Sequence, residues 1–271
     1  QVKILLQMQG VSMQIPEAQR YKGMIDCFLR IPKEQGFLTL WRGNLGTIVA
    51  KFPGEIISFA TKDIYKDIFM KNVDQKSQYW RSLFGNLAVG SAAGATSLGV
   101  TYPLSFTRTR LAADVGKGVA ERQFQGHVDC IKNIFKSDGI RGLYKGFGTS
   151  ILGIMVYRGV YFGLYDFAKA QTSINSVLSS FGLGMGVTIT AGIISYPLDT
   201  VRVRLVMQSG RKVEEILYKN TYECFKKMLI QEGPRSLYYG LLPTLIKGSF
   251  GGLILVIYDK LSKRKEWGFY K

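Results

Sequence analysis

The chain contains a single histidine, His127, and three cysteines, Cys27, Cys130 and Cys224, none of them in a CxxC pair. Nothing is left from which to build a zinc site or a Cys/His or Ser/His catalytic pair, so neither a metal nor catalysis by those routes is expected. Acidic residues are also scarce, with 19 Asp plus Glu against 36 Lys plus Arg. The basic excess calls for an anionic partner: nucleic acid, phospholipid headgroups or a phosphorylated small molecule. With 271 residues and 46% apolar content, disorder is excluded.

Charge is missing altogether from two long stretches, Ser82 to Thr107 and Ala170 to Leu198. Each exceeds the ~20 residues that span a bilayer. Both are rich in Gly, Ala, Ser and Thr, which suits helices packed closely around something polar. Three further stretches, near 44–62, 147–165 and 241–258, are apolar with isolated charges at Lys51, Glu55, Arg158 and Lys247. A basic side chain at mid-membrane costs ~2.5–3.5 kcal/mol on insertion scales, so these charges are expected to face a water-filled cavity or a partner rather than lipid. Spans of this extent set nucleic-acid binding aside.

The cysteines expose an internal repeat. Each follows an acidic residue (Asp26, Asp129, Glu223) and lies nine residues before a glycine (Gly36, Gly139, Gly233), with another glycine seven residues on (Gly43, Gly146, Gly240). The intervening text reads EQGFLTLWRG, SDGIRGLYKG and QEGPRSLYYG, and an apolar run closed by Asp63, Asp166 or Asp259 follows. TYPLSFTRTRL around Pro103 and SYPLDTVRVRL around Pro197 match at the offset that separates Cys130 from Cys224. Three units result: 1–72 (incomplete), 73–172 and 173–271. The chain start QVKILLQ is laid on RVRLVMQ, which puts Gln1 opposite Arg108 and Arg202. Most of the basic residues fall in three long loops on one side of the membrane.

These motifs, a Pro-x-acidic-x-x-basic helix end and a later Gly-aromatic-basic-Gly element in threefold repeat, resemble the mitochondrial carrier family. YPLSFTRTRLAADVGKG, FKSDGIRGLYKGF and SYPLDT are similar to its ADP/ATP carrier branch in particular. The resemblance implies an all-α membrane protein of the mitochondrial inner membrane, a threefold pseudosymmetric helical barrel with short matrix-side amphipathic helices. Five membrane helices are expected in this chain, near 45–68, 83–108, 148–170, 176–204 and 243–263, with the first of the barrel missing. Loop helices are expected near 22–34, 125–137 and 219–231. The cysteines are read as small, buried, reduced side chains and His127 as a surface residue.

The resemblance further implies a nucleotide site made of Lys247, Arg158, Tyr157, Gly153, Ile154, Ser195, Lys62 and Asn86. The phosphate position of helix two falls on Ala50. A matrix gate of Arg108, Asp199 and Arg202 is implied, with Ser105 where unit two should carry an acid. The cytoplasmic gate is Asp63 with Lys66, Asp166 with Lys169, and Asp259. The branch's arginine run reads Arg202-Val203-Arg204 here, without its middle arginine. No cofactor is expected beyond structural phospholipid such as cardiolipin.

Two functions follow from the resemblance, both non-enzymatic. Erosion of the gate, the phosphate ligands and the arginine run favours a carrier-like protein with lost or reduced exchange. Such a protein acts as an accessory subunit of an inner-membrane respiratory complex, and a membrane protein partner replaces helix one. The alternative is a working antiporter that exchanges ADP and ATP by alternating access.

Overall fold

The computed structural model describes residues 1–10, 12, 15, 20–41, 44–71, 78–114, 122–171, 177–211 and 213–246. Among them all regular structure is helical. The order is α1 (Val2–Met8), α2 (Met24–Gln35), a 3-10 turn (Phe37–Trp41), α3 (Asn44–Phe69), α4 (Tyr79–Ala113), α5 (His127–Leu143), α6 (Phe147–Gln171), α7 (Val177–Met207) and α8 (Thr221–Lys227). A π-helical turn (Met228–Glu232) extends α8, a 3-10 turn (Pro234–Tyr238) follows, and residues 241–246 are helical. The helix expected near 243–263 lies outside the described residues beyond 246. Helices α3, α4, α6 and α7 occupy the other four expected spans, and α4 runs five residues past its expected end because RLAA continues the helix without a breaker.

Arg81–Ala113 and Phe147–Tyr165 are long and apolar enough to cross a membrane. Most of α6 is half-buried, while Leu152, Met155 and Phe167 are exposed, apolar surface of the kind that lipid covers. Helix α3 packs on α4 and α6 on α7, and α1 touches both α4 and α7 where their ends converge. Helices α3 and α4 are tied where the Gly54 carbonyl accepts from Ser97 Oγ at 2.6 Å, a close approach of small residues.

The buried core sits in the layer of loop helices, as three clusters built around the three cysteines. Cys27 packs with Leu5, Met8, Ile31 and Val203; Cys130 with Tyr102, Phe106, Leu111 and Ile134; Cys224 with Val201, Leu205 and Met228. Each fully buried aliphatic side chain among these contributes about 1.5–3 kcal/mol. Val203 is 2% exposed inside the first cluster, an apolar setting in which an arginine would be uncompensated. Burial pushes the Cys27, Cys130 and Cys224 thiols up to about 12, 11 and 12, so all three are protonated and inert at neutral pH.

The same polar contacts recur in each unit. Gln9 exchanges two hydrogen bonds with the Tyr21 backbone, and Gln208 does the same with Tyr218. In unit two Asp114 accepts from the amides of Gln123 and Phe124. The acid before each cysteine accepts from the amide four residues upstream: Lys22 to Asp26, Gln125 to Asp129 and Lys219 to Glu223. Each loop helix then breaks at a glycine, Gly36, Gly139 or Gly233, with φ between 64° and 85° and an extended ψ, a backbone region essentially confined to glycine.

Proline and tyrosine form a second recurrent pair. Pro103 cannot donate to the carbonyl four residues back, Gly99, and Tyr144 Oη donates to it instead at 2.8 Å. Tyr144 stacks on Tyr102, and Tyr238 stacks on Tyr196 in unit three. Tyr102 and Tyr196 in turn donate to the Lys145 and Tyr239 carbonyls. The aromatic of the Gly-aromatic-basic-Gly element thus covers the proline end of the preceding helix.

Candidate functional site

The residues expected to form a gate at the basic face are aligned differently from the sequence expectation. Gln9, Asp114 and Gln208 make equivalent contacts, so counting back from them sets Lys3, and not Gln1, opposite Arg108 and Arg202. The register slips by two. Lys3 Nζ lies 2.7 Å from Asp199 Oδ2, an ion pair that joins unit one to unit three. Gln7 Nε2 donates to the same Asp199 oxygen at 3.0 Å and to Thr200 Oγ1 at 3.2 Å. Arg202 reaches Asp199 Oδ1 at 3.6 Å and donates to Ser105 Oγ at 2.8 Å, so the serine holds by a neutral acceptor what an acid would hold by charge. Lys3 and Arg202 also lie over the rings of Tyr196 and Tyr102, each the residue before a proline.

Arg204, two residues past the gate, points the other way. Its fully buried side chain makes a bidentate pair with Glu232 and meets the Tyr218 hydroxyl, clamping α7 to the third loop helix. Between gate and clamp lies Val203. The three positions of the run therefore face a gate, an apolar cluster and a loop.

Above the gate a cavity of about 350 Å³ opens between α3, α4 and α6. Its charged lining is Lys51, Glu55, Arg108 and Arg158, with Ala50, Ser97, Thr101 and Ser105 among the remainder. A second cavity of about 370 Å³ is lined by Lys62, Asn86, Ser82 and Phe162, and Arg158 again. Arg158 thus stands between two compartments. Room for it comes from α4, where a methyl group on Gly90 would overlap its guanidinium and one on Gly94 would touch it.

The structure therefore brings together Arg158, Lys62 and Asn86 of the expected nucleotide site, and adds Lys51 and Glu55. Gly153, Ile154 and Tyr157 occupy α6 beside Arg158 without lining either cavity. Tyr157 begins a ladder of stacked rings with Tyr161 and Tyr165, spaced 6.1 Å apart. Ser195 donates to the Ala191 carbonyl of its own helix at 2.8 Å. Lys247 and Asp259 lie outside the described residues, as do the side chains of Asp166 and Lys169. Asp63 and Lys66 are exposed and enter no ion pair among the described residues.

His127 is more than a surface residue. It opens α5 with its ring wedged between two membrane helices, where Nε2 accepts from the Gly46 amide of α3 at 3.2 Å and Nδ1 lies 2.9 Å from Thr107 Oγ1 of α4. A side chain on Gly46 would collide with the ring. Burial holds the imidazole below its ordinary pKa.

A threefold helical repeat, matched prolines and an ionic cluster beneath a polar cavity coincide with the finding from family comparison. The family model described as mitochondrial carrier protein matches residues 1–73, 79–176 and 173–266. The chain belongs to the mitochondrial carrier family. The helical structure of its described residues is that of the carrier fold, and the protein resides in the mitochondrial inner membrane. It is 51% identical to ADP/ATP translocase 3 of Bos taurus over 265 residues, covering 97% of this chain and 89% of that protein. ADP/ATP translocase 2 of Rattus norvegicus and ADP/ATP translocase 3 of Homo sapiens are each 50% identical over the same shares. The chain is thus ADP/ATP-carrier-like.

Proposed function

We propose that this carrier exchanges ADP and ATP across the inner membrane by alternating access. The observation that carries this reading is Arg158, the guanidinium that lines both of two polar cavities stacked above a closed ionic gate. Nucleotide phosphates supply the negative charge that balances the basic excess of the first cavity, Lys51, Arg108 and Arg158 against Glu55. Opening the Lys3–Asp199 and Arg202–Ser105 contacts releases the ligand toward the basic face, and re-forming them resets the cavity. Two arguments for lost exchange weaken on this reading. Unit one has its gate cation in Lys3, and α3 has a cavity cation in Lys51.

Purified protein reconstituted in liposomes tests the proposal. External ATP should enter only vesicles preloaded with ADP or ATP, and Arg158→Ala should abolish the uptake. Absence of exchange by a folded protein would refute it. A second reading, an accessory subunit of a respiratory complex with reduced exchange, draws its support from Ser105, which leaves the gate without one acid. Co-purification with such a complex in mild detergent, together with the absence of exchange, would favour that reading.

A further inference from the structure

Helix α3 carries Lys51, Glu55, Ser58 and Lys62 at a spacing of four, three and four residues, which puts them on one face. The Ser97–Gly54 hydrogen bond ties α3 to α4 beside this face, and Lys51 and Glu55 stand at its edge, where they also border an apolar groove with Phe52, Ile56 and Phe59. Lys51, Glu55 and Ser58 line the lower cavity, and Lys62 lines the upper one. Ala50 lines the lower cavity too, but its methyl group offers no charge and leaves space for its neighbour. Lys51, Arg108 and Arg158 therefore share one enclosure with a single carboxylate, Glu55. Among the described residues none of these four enters an ion pair. Three basic groups at membrane depth, each costing ~2.5–3.5 kcal/mol on insertion scales, need an anion or water to compensate them.

We propose that Lys51 is the phosphate-contacting cation of α3 in this carrier, and that Glu55, one turn along, disfavours the more highly charged triphosphate and so sets the preference between ADP and ATP. The inference rests on the nucleotide reading above and deepens it. One cation on α3 contributes a charge-assisted hydrogen bond to a phosphoryl oxygen. Four residues of helix, about 6 Å of rise, bring the Glu55 carboxylate beside the same phosphates, where its repulsion grows with the ligand's charge. The ADP-to-ATP affinity ratio of this carrier is then a property of the Lys51/Glu55 pair, and not of Arg158 alone.

Equilibrium binding of ADP, ATP, adenosine and inorganic phosphate to the purified full chain in nanodiscs tests this. Lys51→Ala should weaken ADP and ATP by about 10- to 100-fold, the equivalent of one charge-assisted hydrogen bond, leave adenosine unaffected, and be rescued by Lys51→Arg. Glu55→Gln should tighten ATP more than ADP, raising their relative affinity by about tenfold in favour of ATP. Both side chains are exposed, so the variants should melt within a few degrees of the parent, and melting curves recorded in parallel establish that they fold.

Unchanged nucleotide affinity in Lys51→Ala, alongside its loss in Arg158→Ala, overturns the role of Lys51 and leaves the nucleotide reading standing. An unchanged ADP-to-ATP ratio in Glu55→Gln overturns the role of Glu55. Binding of inorganic phosphate as tight as that of ADP assigns the pair to free phosphate and overturns the nucleotide preference. A parent protein that binds neither ADP nor ATP overturns both this inference and the function on which it rests.

Discussion

Replacing Asp199 by asparagine keeps the shape of the proposed gate and removes its only negative charge among the described residues. The carboxylate serves Lys3 at 2.7 Å, Gln7 at 3.0 Å and Arg202 at 3.6 Å. A hydrogen bond to a charged group is worth about 1.5–3 kcal/mol when buried, whereas an exposed ion pair is worth about 0.2–1 kcal/mol. The Lys3 and Asp199 side chains are 33% and 30% exposed, which places the loss between these limits, at about 1–2 kcal/mol. The equilibrium between closed and open matrix gate should therefore move toward open by roughly 5- to 30-fold. A cysteine at position 50, in the lower cavity, reports this directly. An impermeant maleimide applied from the matrix side should label Ala50→Cys faster by that factor in the Asp199→Asn background, and applied from the cytoplasmic side should label it more slowly. Lys3→Gln should act in the same direction, and the double variant should add little to either single one. Matrix-side labelling that is unchanged by Asp199→Asn would refute the gate assignment.

Three further outcomes are expected. Tyr144→Phe leaves the Gly99 carbonyl without its donor beside Pro103 and should cost about 1–2 kcal/mol, read as a lower melting temperature; an unchanged melting temperature contradicts that role. The native cysteines, with thiols raised to about 11–12 by burial, should resist maleimide at neutral pH in the folded protein and react at once on denaturation; prompt labelling of the native state contradicts the burial argument. His127 binds its proton less readily folded than unfolded, so its contribution is complete above the ordinary value of 6.5 and is lost as pH falls below it. Thermal stability should decline below that pH, and His127→Leu should flatten the decline; equal slopes in both proteins would contradict it.

Much of the architecture was legible in the chain itself. Uncharged runs longer than a bilayer marked α4 and α7, the recurrent Cys-to-Gly spacing marked the loop helices, and isolated charges at Lys51, Glu55 and Arg158 required a wet interior, because apolar periodicity and the cost of charge in lipid are local properties. The gate register was not legible. Gln7 and Gln9 match Gln208 equally well as letters, and only the paired hydrogen bonds to Tyr21 and Tyr218, across 12 and 10 residues, show that Gln9 is the equivalent one. A loop two residues longer in unit one hides that equivalence from the text, and with it the role of Lys3. The placement of Lys51 in the cavity depends on how α3 is set against α4, to which the Ser97–Gly54 hydrogen bond ties it, and the role of His127 on two helices that it touches 81 and 20 residues away. Composition and spacing determine which segments are helices and which charges need water. Only tertiary packing decides which side chains meet, because one residue of slip turns a helix by ~100° and moves a charge from one neighbour to another.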